Sequence, residues 1–416
     1  MQFPKERTFD VIVIGGGAAG LMACGRAAEL GKSVLLLEKN GRVGEKLAIT
    51  GGGRCNVTNA EFNQRELLSQ YGKAEQFLYS PFSQFGVKET ILFFEDREVP
   101  LVTQAGKRVF PKTEKAKDIV RTMDSYVRQS KVKVATGGAV TKIRKSGKYI
   151  HSVYVGSVEY QAQSYILATG GVSHPETGST GDGFRWLKDM GHTVAKPTPG
   201  IVPLQVKESW VHSLAGTSLP NVRITFFNQE KNLVKKGTIL CTHFGISGPL
   251  ILNAAKAVGD LLYEGPVAAA IDLFPDTEVS ILEKNLIALF DENKNKMFKN
   301  LIKEMLPPGT TDAILSVLAP ILAEDTQANA ITKEMRRKIA ETLKAVPLTV
   351  TGLMGFDRAV VADGGVPLTE VDTKTMKSLL VDNLFIIGDL LDINRPSGGY
   401  SLQLCWTSGF VAGTNA

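Results

Sequence analysis

The sequence predicts an α/β fold in which a second domain is inserted into the first. The chain opens with FDVIVIG, a short apolar run rich in β-branched residues, and continues with AAGLMACGRAAELG, whose apolar residues have helical spacing up to Gly31. SVLLLE follows as a second strand, so the chain begins with a strand-helix-strand unit. LFIIGDLLD, near the C-terminus, is another buried strand. We therefore expect a discontinuous first domain of residues 1–194 and 351–416 around an inserted domain of residues 195–350.

The first domain contains further helices and strands. Residues 61–95 have helical spacing, and their aromatic residues are placed as on a core-facing surface rather than around a ligand. These aromatic residues are Phe77, Phe82, Phe85, Phe93 and Phe94. A helix near residues 114–130 precedes residues 131–171, which alternate apolar and polar residues between glycine turns. We expect an antiparallel meander there, ending in the buried strand SYILATGG.

The inserted domain is expected to be β-rich first and helical afterwards. Three prolines within residues 197–203 mark a linker, and strand-like stretches continue to about Leu273. Residues 277–345 have a mostly helical pattern. The chain closes with a helix near residues 400–413, and this helix reaches the final GTNA, which leaves open a continuation past Ala416.

The composition is that of an ordinary globular protein, because 416 residues with 43% hydrophobic content suffice for two cores. The first residues, MQFPKERTF, are too short and polar for a signal peptide, and the apolar residues 11–37 are interrupted by glycines and charges. We therefore expect a cytoplasmic protein without a membrane segment. Cys24, Cys55, Cys241 and Cys405 form no CxxC or CxxxxC pair, so we expect free thiols and no metal site.

Positive charge is concentrated in residues 107–148. This stretch carries thirteen Lys and Arg against three acidic residues, an excess of ten, whereas the whole chain has a net charge of +6. The basic residues are Lys107, Arg108, Lys112, Lys115, Lys117, Arg121, Arg128, Lys131, Lys133, Lys142, Arg144, Lys145 and Lys148. The stretch is either the solvated surface of a helix and a hairpin, or a patch that binds the phosphates of a nucleic acid or of NADPH.

A glycine fingerprint lies between the first strand and the first helix. Gly15, Gly17 and Gly20 form G-x-G-x-x-G in the strand-turn-helix context that dinucleotide binding needs. The first glycine permits the tight turn, the second lets the backbone approach a pyrophosphate, and the third lets helix and strand pack closely. Glu38, eighteen residues after Gly20, ends the second strand, where a carboxylate can accept hydrogen bonds from both ribose hydroxyls. This acid also argues against a 2′-phosphate at the site.

Downstream segments favour FAD over NAD. The meander that ends in ATGG and the strand that ends in Gly388-Asp389 are similar to those of flavoproteins with two dinucleotide-binding domains. That resemblance implies that Asp389 faces the ribityl and pyrophosphate groups of FAD. It also implies that the helix after Gly398-Gly399 points its N-terminus at the flavin pyrimidine. A helix N-terminus carries about half a positive charge, which would stabilise the anion formed when flavin is reduced.

The loop of residues 40–59, NGRVGEKLAITGGGRCNVTN, is both glycine-rich and basic. Its backbone can lie flat against a ring while Arg42, Lys46 and Arg54 meet phosphate.

Three motifs make the resemblance specific: GxKxxxTGGGRCNxTN in this loop, THFGISGP in residues 242–249 and PSGGYSLQ in residues 396–403. Together they resemble the BaiN/RdsA family of FAD-dependent oxidoreductases, also called YhiN-type flavoproteins, over essentially the whole chain. The resemblance implies a Rossmann-like FAD-binding domain with an inserted second domain. Two residues depart from the family pattern: Asp389 stands where Glu is common, and Ser401 stands where we expect Asn.

The fingerprint and the resemblance together predict the residues that contact FAD. The predicted contacts are Gly15, Gly17, Ala18, Ala19, Gly20, Glu38, Lys39, Gly44, Lys46, Gly52, Gly53, Arg54, Cys55, Asn56, Val140, Ala168, Thr169, Gly170, Gly388, Asp389, Gly399, Tyr400, Ser401 and Leu402.

The sequence contains one dinucleotide fingerprint and no dithiol beside the flavin loop, which disfavours disulfide reduction. NAD(P)H, as electron donor, is then expected to visit the flavin face transiently. The resemblance implies reduction of an activated C=C bond, in an unsaturated oxo-steroid or in a uridine of large-subunit ribosomal RNA. Both substrates have a carbonyl conjugated to the double bond, so hydride adds to the β carbon and an acid protonates the α carbon. The basic residues 107–148 favour RNA.

Three residues are candidates for this acid. His243 lies in THFGISGP, where Ser247 and the loop backbone could donate hydrogen bonds to an oxyanion. Cys55 lies in the flavin loop, and Tyr400 starts the C-terminal helix as either a wall of the flavin site or a phenol donor. Each of the three also has an interpretation as a structural or packing residue.

Two other functions stay open at this stage. A flavin oxidase of a small amine would form peroxide rapidly in air. A non-catalytic module that binds RNA or protein around a structural FAD would show no flavin bleaching with NADPH or NADH.

Overall fold

A computed structural model describes residues 4–227 and 232–416 of the chain. It divides into one unit formed by residues up to Pro199 together with Phe356–Ala416, and a second unit formed by Gly200–Gly355. The second unit therefore begins and ends five residues later than the insertion predicted at residues 195–350.

The described residues contain eighteen strands and fourteen α-helices. The strands are β1 (Thr8–Ile14), β2 (Val34–Glu38), β3 (Thr58–Asn59), β4 (Leu101–Gln104), β5 (Arg108–Pro111), β6 (Lys133–Thr136), β7 (Val140–Ser146), β8 (Tyr149–Val155), β9 (Val158–Leu167), β10 (Ala195–Gly200), β11 (Leu204–Val206), β12 (Ser218–Phe226), β13 (Leu233–Thr242), β14 (Gly245–Ser247), β15 (Val267–Asp272), β16 (Val346–Leu353), β17 (Val361–Gly365) and β18 (Leu384–Ile386). The helices are α1 (Ala18–Glu29), α2 (Glu45–Gly53), α3 (Gln64–Ser69), α4 (Glu75–Gln84), α5 (Val87–Glu95), α6 (Ala116–Gln129), α7 (Asp182–Asp189), α8 (Ser209–Ser213), α9 (Pro249–Leu261), α10 (Val279–Glu292), α11 (Phe298–Met305), α12 (Thr311–Leu318), α13 (Lys333–Lys344) and α14 (Tyr400–Asn415).

The first unit is built on a sheet with the strand order β6-β2-β1-β9-β8-β7, and β18 also pairs with β9. β1 lies between β2 and β9, parallel to both, and β18 is parallel to β9. The predicted α/β fold with an opening strand-helix-strand unit is confirmed. Because these strands are parallel, their carboxyl ends meet at one edge of the sheet, where ligands of doubly wound folds bind.

The prediction of an antiparallel meander is wrong for its first strand, β6. β6 pairs with β2 in parallel, with Glu38 opposite Thr136, and only β7, β8 and β9 form antiparallel pairs. β6 is an edge strand at the end of a helical crossover, and the alternating KVKVAT pattern of such a strand is the same as that of a meander strand.

The prolines within residues 197–203 lie partly in a strand rather than a linker. β10 includes Pro197 and Pro199 and pairs with β17 in a two-stranded sheet. Proline is compatible with an edge strand, because such a strand has N–H positions that need no partner within the sheet.

The aromatic residues of residues 61–95 do form a core surface, as predicted. Phe85 stacks on Phe410 of α14 with ring centroids 4.5 Å apart, and Phe94 meets Trp406 edge-on at 5.3 Å. α14 is therefore held against the helices α4 and α5, which fixes the position of its N-terminus.

The second unit contains a closed six-stranded barrel in the order β11-β14-β13-β12-β15-β16. The helices α10 to α13 connect the barrel strands β15 and β16. The β-rich and helical parts were both predicted, but α9 was missed. Its buried residues Ile251, Ala254, Ala255 and Val258 have the spacing of an amphipathic helix, so the signal was present. Within the described residues, none of the helices has the length and apolar character that crossing a bilayer requires.

Candidate active site

Three glycines shape the turn between β1 and α1. Gly15 has φ +105°, and a Cβ there would lie 2.4 Å from the carbonyl oxygen of Ala168. A Cβ on Gly20 would lie 1.9 Å from the carbonyl oxygen of Gly15. A Cβ on Gly17, the N-cap of α1, would meet nothing within 4 Å, and no side chain caps the helix there. The first and third glycines thus permit the turn and the close packing, while the second leaves open space at a positive helix N-terminus.

Glu38 joins the end of β2 to this turn. Its Oε2 accepts the Gly16 N–H at 2.7 Å, and its Oε1 accepts the Asn40 N–H at 2.8 Å. Burial raises the pKa of Glu38, and the two backbone N–H groups oppose that shift. Each carboxylate oxygen keeps a second lone pair, so the residue can still accept hydrogen bonds from ribose hydroxyls.

The segments around Glu38 bring several predicted contacts to the same edge of the sheet. Gly44 donates its N–H to the carbonyl of Gly16 at 2.8 Å, and Ala168 donates to Ile14 at 2.9 Å. Thr169 and Gly170 follow Ala168, and Val140 starts β7 just after the carboxyl end of β6.

Ala18 and Ala19 form the buried first turn of α1. The Lys39 side chain extends to the start of α7, where its Nζ lies 2.9 Å from Asp182 and donates to the Thr180 hydroxyl. Lys39 is thus held by protein groups at the ribose end predicted for the site.

The flavin loop, predicted as a loop over residues 40–59, contains the helix α2. The last three residues of α2 before Arg54 are glycines with positive φ, and a Cβ on Gly52 or Gly53 would meet nothing within 4 Å. Arg54 lies over the ring of Phe110, 4.6 Å from its centroid, and 3.5 Å from Glu114. The backbone of this loop is therefore accessible, while the predicted phosphate contact Arg54 packs against β5 and the residues beyond it.

Cys55 follows in a wholly buried position. Burial raises the pKa of its thiol to about 12, although a hydrogen bond with Thr50 acts in the opposite direction. A thiol in this environment is a poor proton donor, because its thiolate would be left in an apolar surrounding. The structure favours packing for Cys55 over the acid role considered from the sequence.

Asn56 ties the flavin loop to the C-terminal helix. Its side-chain amide accepts the Gly399 N–H at 2.9 Å and donates to the carbonyls of Thr58 and Val109. Gly399 is the N-cap of α14. The predicted contacts Asn56 and Gly399 therefore meet each other in the structure.

Tyr400 begins α14 and is half-buried. Its ring meets Tyr71 edge-on with centroids 5.8 Å apart, and the Tyr71 hydroxyl donates to the Tyr400 carbonyl at 2.9 Å. Burial raises the pKa of the Tyr400 phenol, nearby Glu61 adds to this rise, and Lys107 acts against it. The phenol is therefore protonated at neutral pH and can donate a proton.

Asp389 lies just after β18, next to Gly388, whose N–H donates to the Ser408 hydroxyl at 3.1 Å. The Asp389 carboxylate pairs with Lys46 at 2.9 Å and with Arg395. Burial acts to raise the pKa of Asp389, but the two cations outweigh burial and hold that pKa at about 2. Asp389 is therefore a carboxylate at any physiological pH.

Arg395 is the residue of this site that sequence reasoning missed. Its side chain is 1% exposed, and it donates to the hydroxyl of Ser401 at 2.7 Å. The Ser401 hydroxyl thus accepts a hydrogen bond from Arg395. The neighbouring Leu402 is buried in the first turn of α14. An arginine directly before PSGGYS, in a loop expected to meet a dinucleotide, was the signal available in the sequence.

His243 lies in the second unit, exposed in the turn between β13 and β14. Its ring contacts Phe244 edge-on, with centroids 4.8 Å apart. Ser247 ends β14. Within its own unit His243 is therefore an accessible imidazole on a hairpin turn.

In the first unit, the segments singled out by the glycine fingerprint and the flavoprotein resemblance reach the edge at which the parallel strands β1, β2, β9 and β18 end, as in dinucleotide-binding α/β enzymes. Together with the family and the relatives given next, this arrangement makes the protein an FAD-dependent oxidoreductase. The chain belongs to the HI0933-like family, since the family model described as "HI0933-like protein Rossmann domain" matches residues 9–415. The resemblance to BaiN/RdsA flavoproteins is thereby confirmed.

Two relatives agree with this class, and one solved structure is similar in fold. The chain is 28% identical to a 3-dehydro-bile acid delta(4,6)-reductase of Clostridium scindens, over 97% of this chain and 98% of that protein. It is 29% identical to a ribosomal RNA dihydrouridine synthase of Haemophilus influenzae, over 96% of each chain. The fold is similar to that of 3-ketosteroid delta1-dehydrogenase from Sterolibacterium denitrificans, with a TM-score of 0.54, 12% identity and coverage of 98% of this chain and 99% of the other.

Proposed function

We propose that this protein uses NAD(P)H and bound FAD to reduce a C=C bond conjugated to a carbonyl, and that its substrate is a uridine of large-subunit ribosomal RNA, which becomes dihydrouridine. Three relatives that match over nearly their whole length carry names of enzymes that saturate such a bond. The observation that carries the RNA assignment is a group of exposed cations joined by strand pairing to the flavin loop.

The strand β5 connects these cations to the loop. β5 pairs with β3, with Asn59 opposite Arg108, and the Asn59 amide donates to the carbonyl of Gly106 at 3.1 Å. Ala60 donates its N–H to the carbonyl of Lys107 at 2.7 Å. A phosphate bound beside this hairpin would therefore lie near the loop that we expect to face the flavin.

The three lysines that follow β5 are exposed: Lys112, Lys115 and Lys117. Lys115 is the N-cap of α6 and Lys117 lies in its first turn. Cations at a helix N-terminus oppose the helix dipole, so these lysines do not stabilise α6. Binding of an anion explains their position better than stability does.

The basic residues 107–148 do not form one surface. β6 and β7 lie at opposite ends of the strand order of the main sheet, so the cations of β7 are separated from those around β5 and α6. We therefore assign RNA contact to the cations of residues 107–117, and not to Lys142, Arg144 and Lys145 on β7.

FAD, when bound, supplies the hydride that adds to the β carbon of the substrate. The chain's own residues would hold FAD: Gly17 would leave room for the pyrophosphate, Glu38 would accept hydrogen bonds from the ribose hydroxyls, and the N-terminus of α14 would stabilise negative charge on the pyrimidine. The Tyr400 phenol is the proton donor to the α carbon, because it is protonated and starts that helix.

Two triple variants test the RNA assignment. In K112E/K115E/K117E, dihydrouridine in ribosomal RNA should fall roughly tenfold or more, because three phosphate contacts become repulsive. The new glutamates favour the N-terminus of α6, so this loss should occur without loss of FAD absorbance or of thermal stability.

The control is K142E/R144E/K145E, which makes the same change of charge on β7. With this variant the dihydrouridine content of ribosomal RNA should stay at the wild-type level. Normal modification by the first variant, or equal losses in both, would contradict the assignment.

The Clostridium relative favours a second candidate, reduction of an unsaturated oxo-steroid, because its identity to this chain is nearly the same as that of the ribosomal RNA relative. A steroid has no phosphate backbone. Two results together would favour this candidate over the first. The protein and its K112E/K115E/K117E variant would turn over an unsaturated oxo-steroid equally well, and ribosomal RNA from cells without the gene would have a normal dihydrouridine content.

A further inference from the structure

Lys46, Asp389 and Arg395 form a cluster with one more positive than negative charge. The Nζ of Lys46 lies 2.9 Å from Asp389 Oδ2, and Arg395 Nη2 donates to Asp389 Oδ1. The side chains of Arg395 and Asp389 are 1% and 10% exposed. Two cations thus share one carboxylate, and of the two Arg395 is buried while Lys46 is partly exposed.

In the contacts described for this part of the chain, Asp389 is the carboxylate that pairs with Lys46 and Arg395. The other donors of Arg395 go to neutral oxygens, the carbonyl of Ile393 and the hydroxyl of Ser401. Besides Asp389, the titratable groups Tyr71 and Cys405 interact electrostatically with Arg395. Burial raises the pKa of the Cys405 thiol to about 12 and that of the Tyr71 phenol well above its usual value, so both are neutral at pH 7.

An unbalanced buried charge is costly unless a counter-charge arrives. Ser401 lies in the first turn of α14, whose N-terminus adds further positive potential. Asp389 follows β18, whose carboxyl end lies at the same sheet edge as Gly15. The cluster therefore lies where FAD is expected, and it favours an anion there.

We propose that the excess positive charge of Lys46, Asp389 and Arg395 favours the anionic reduced flavin and so raises the midpoint potential of the bound FAD. In this reduction FAD takes up two electrons and one proton to give FADH⁻, and the cluster replaces the second proton as the balancing charge. The proposal rests on the binding of FAD and not on the identity of the substrate.

Two variants of the holoprotein change the charge of the cluster in opposite directions. Lys46→Met removes the excess charge and should lower the midpoint potential, whereas Asp389→Asn doubles it and should raise the potential. Lys46→Arg keeps the charge and should keep the potential. The measurement is a dye-equilibration titration of the flavin without substrate, repeated across neutral pH.

The pH dependence gives an independent readout. The wild-type potential should change with the slope of one proton per two electrons, and that of Lys46→Met should move towards two protons per two electrons. A purely structural role for Lys46 would leave this slope unchanged.

Lys344→Met is a matched control, because Lys344 in the second unit also lies close to a carboxylate, 2.7 Å from Asp272, and has a similar exposure, 18% against 23% for Lys46. Its potential should equal that of the wild type. The proposal would be overturned by any of three results. These are an unchanged midpoint potential in Lys46→Met, shifts of the potential in the same direction in Lys46→Met and Asp389→Asn, and weaker FAD binding by Lys46→Met without a shift of the potential. If Asp389→Asn retains no FAD, the Lys46 variants and the pH slope decide alone.

Discussion

Gly15 and Gly20 lie so close together that a Cβ on Gly20 would come within 1.9 Å of the carbonyl oxygen of Gly15. Gly17, between them, has nothing within 4 Å of its Cβ position. The same motif therefore contains one glycine required by the fold and one that leaves space for a ligand.

This difference predicts opposite effects of two alanine substitutions. Gly20→Ala should lower the free energy of unfolding of the apoprotein by roughly 1–3 kcal/mol, because the methyl group forces the helix away from the strand. Gly17→Ala should leave that free energy within about 0.5 kcal/mol but weaken FAD binding at least roughly tenfold. Urea unfolding and FAD titration measure the two effects. Equal FAD affinity in Gly17→Ala and wild type would contradict the placement of the pyrophosphate.

Glu38→Gln should weaken FAD binding roughly tenfold and lower the free energy of unfolding by about 1–3 kcal/mol. The amide nitrogen of Gln faces one of two backbone N–H groups, at Gly16 or Asn40, and that N–H loses its acceptor. FAD titration and urea unfolding provide the readouts, and Glu45→Gln on the neighbouring helix is the control. FAD affinity equal to that of the wild type would show that Glu38 only holds the backbone at Gly16 and Asn40 and does not bind FAD.

Asp389 should make stability depend on pH in acid. Its pKa is lower in the folded protein, about 2, than its ordinary value of 3.8, so the charged form stabilises the fold above pH 3.8. This contribution of about 2 kcal/mol is lost as the pH falls from 3.8 towards 2. The difference in unfolding free energy between the wild-type and Asp389→Asn apoproteins should therefore shrink over that window. A constant difference would contradict the ion pairs with Lys46 and Arg395.

Tyr400→Phe should separate the two half-reactions. Flavin reduction by NAD(P)H should stay within about twofold, while product formation should fall roughly 10²–10⁴-fold, the usual contribution of a general acid. Stopped-flow absorbance under anaerobic conditions follows the first step, and product analysis follows the second. Tyr71→Phe, which removes a hydroxyl bonded to the Tyr400 carbonyl, is the control and should keep its turnover. Normal product formation by Tyr400→Phe would return His243 to consideration.

Cys55→Ala should leave FAD binding and turnover unchanged, because the buried thiol packs and does not transfer a proton. The free energy of unfolding should fall by about 1 kcal/mol for the lost contacts of the sulfur. Urea unfolding and a turnover assay of the same preparation check this. A large loss of turnover with FAD still bound would restore Cys55 as a catalytic residue.

The parts of the fold that the sequence predicts are those determined locally. The turn at Gly15, the strand that ends at Glu38 and the helix from Tyr400 each depend on glycine positions and apolar spacing within a few residues. The pairing of β6 with β2 was missed, because an edge strand and a meander strand have the same alternating pattern.

The missed part of the site has a different cause. The role that we propose for Arg395 depends on its burial and on its ion pair with Asp389, which also pairs with Lys46, far away in the sequence. Its place directly before PSGGYS marks Arg395 as a candidate ligand, but no local pattern shows that its side chain is buried and pairs with Asp389.

The central claim is best tested on ribosomal RNA. Total ribosomal RNA from cells with and without this gene should be digested to nucleosides, and dihydrouridine should be quantified by mass spectrometry. We predict that dihydrouridine falls in the cells without the gene and returns with the wild-type gene but not with the Tyr400→Phe gene. Equal dihydrouridine in cells with and without the gene would contradict the assignment of ribosomal RNA as the substrate.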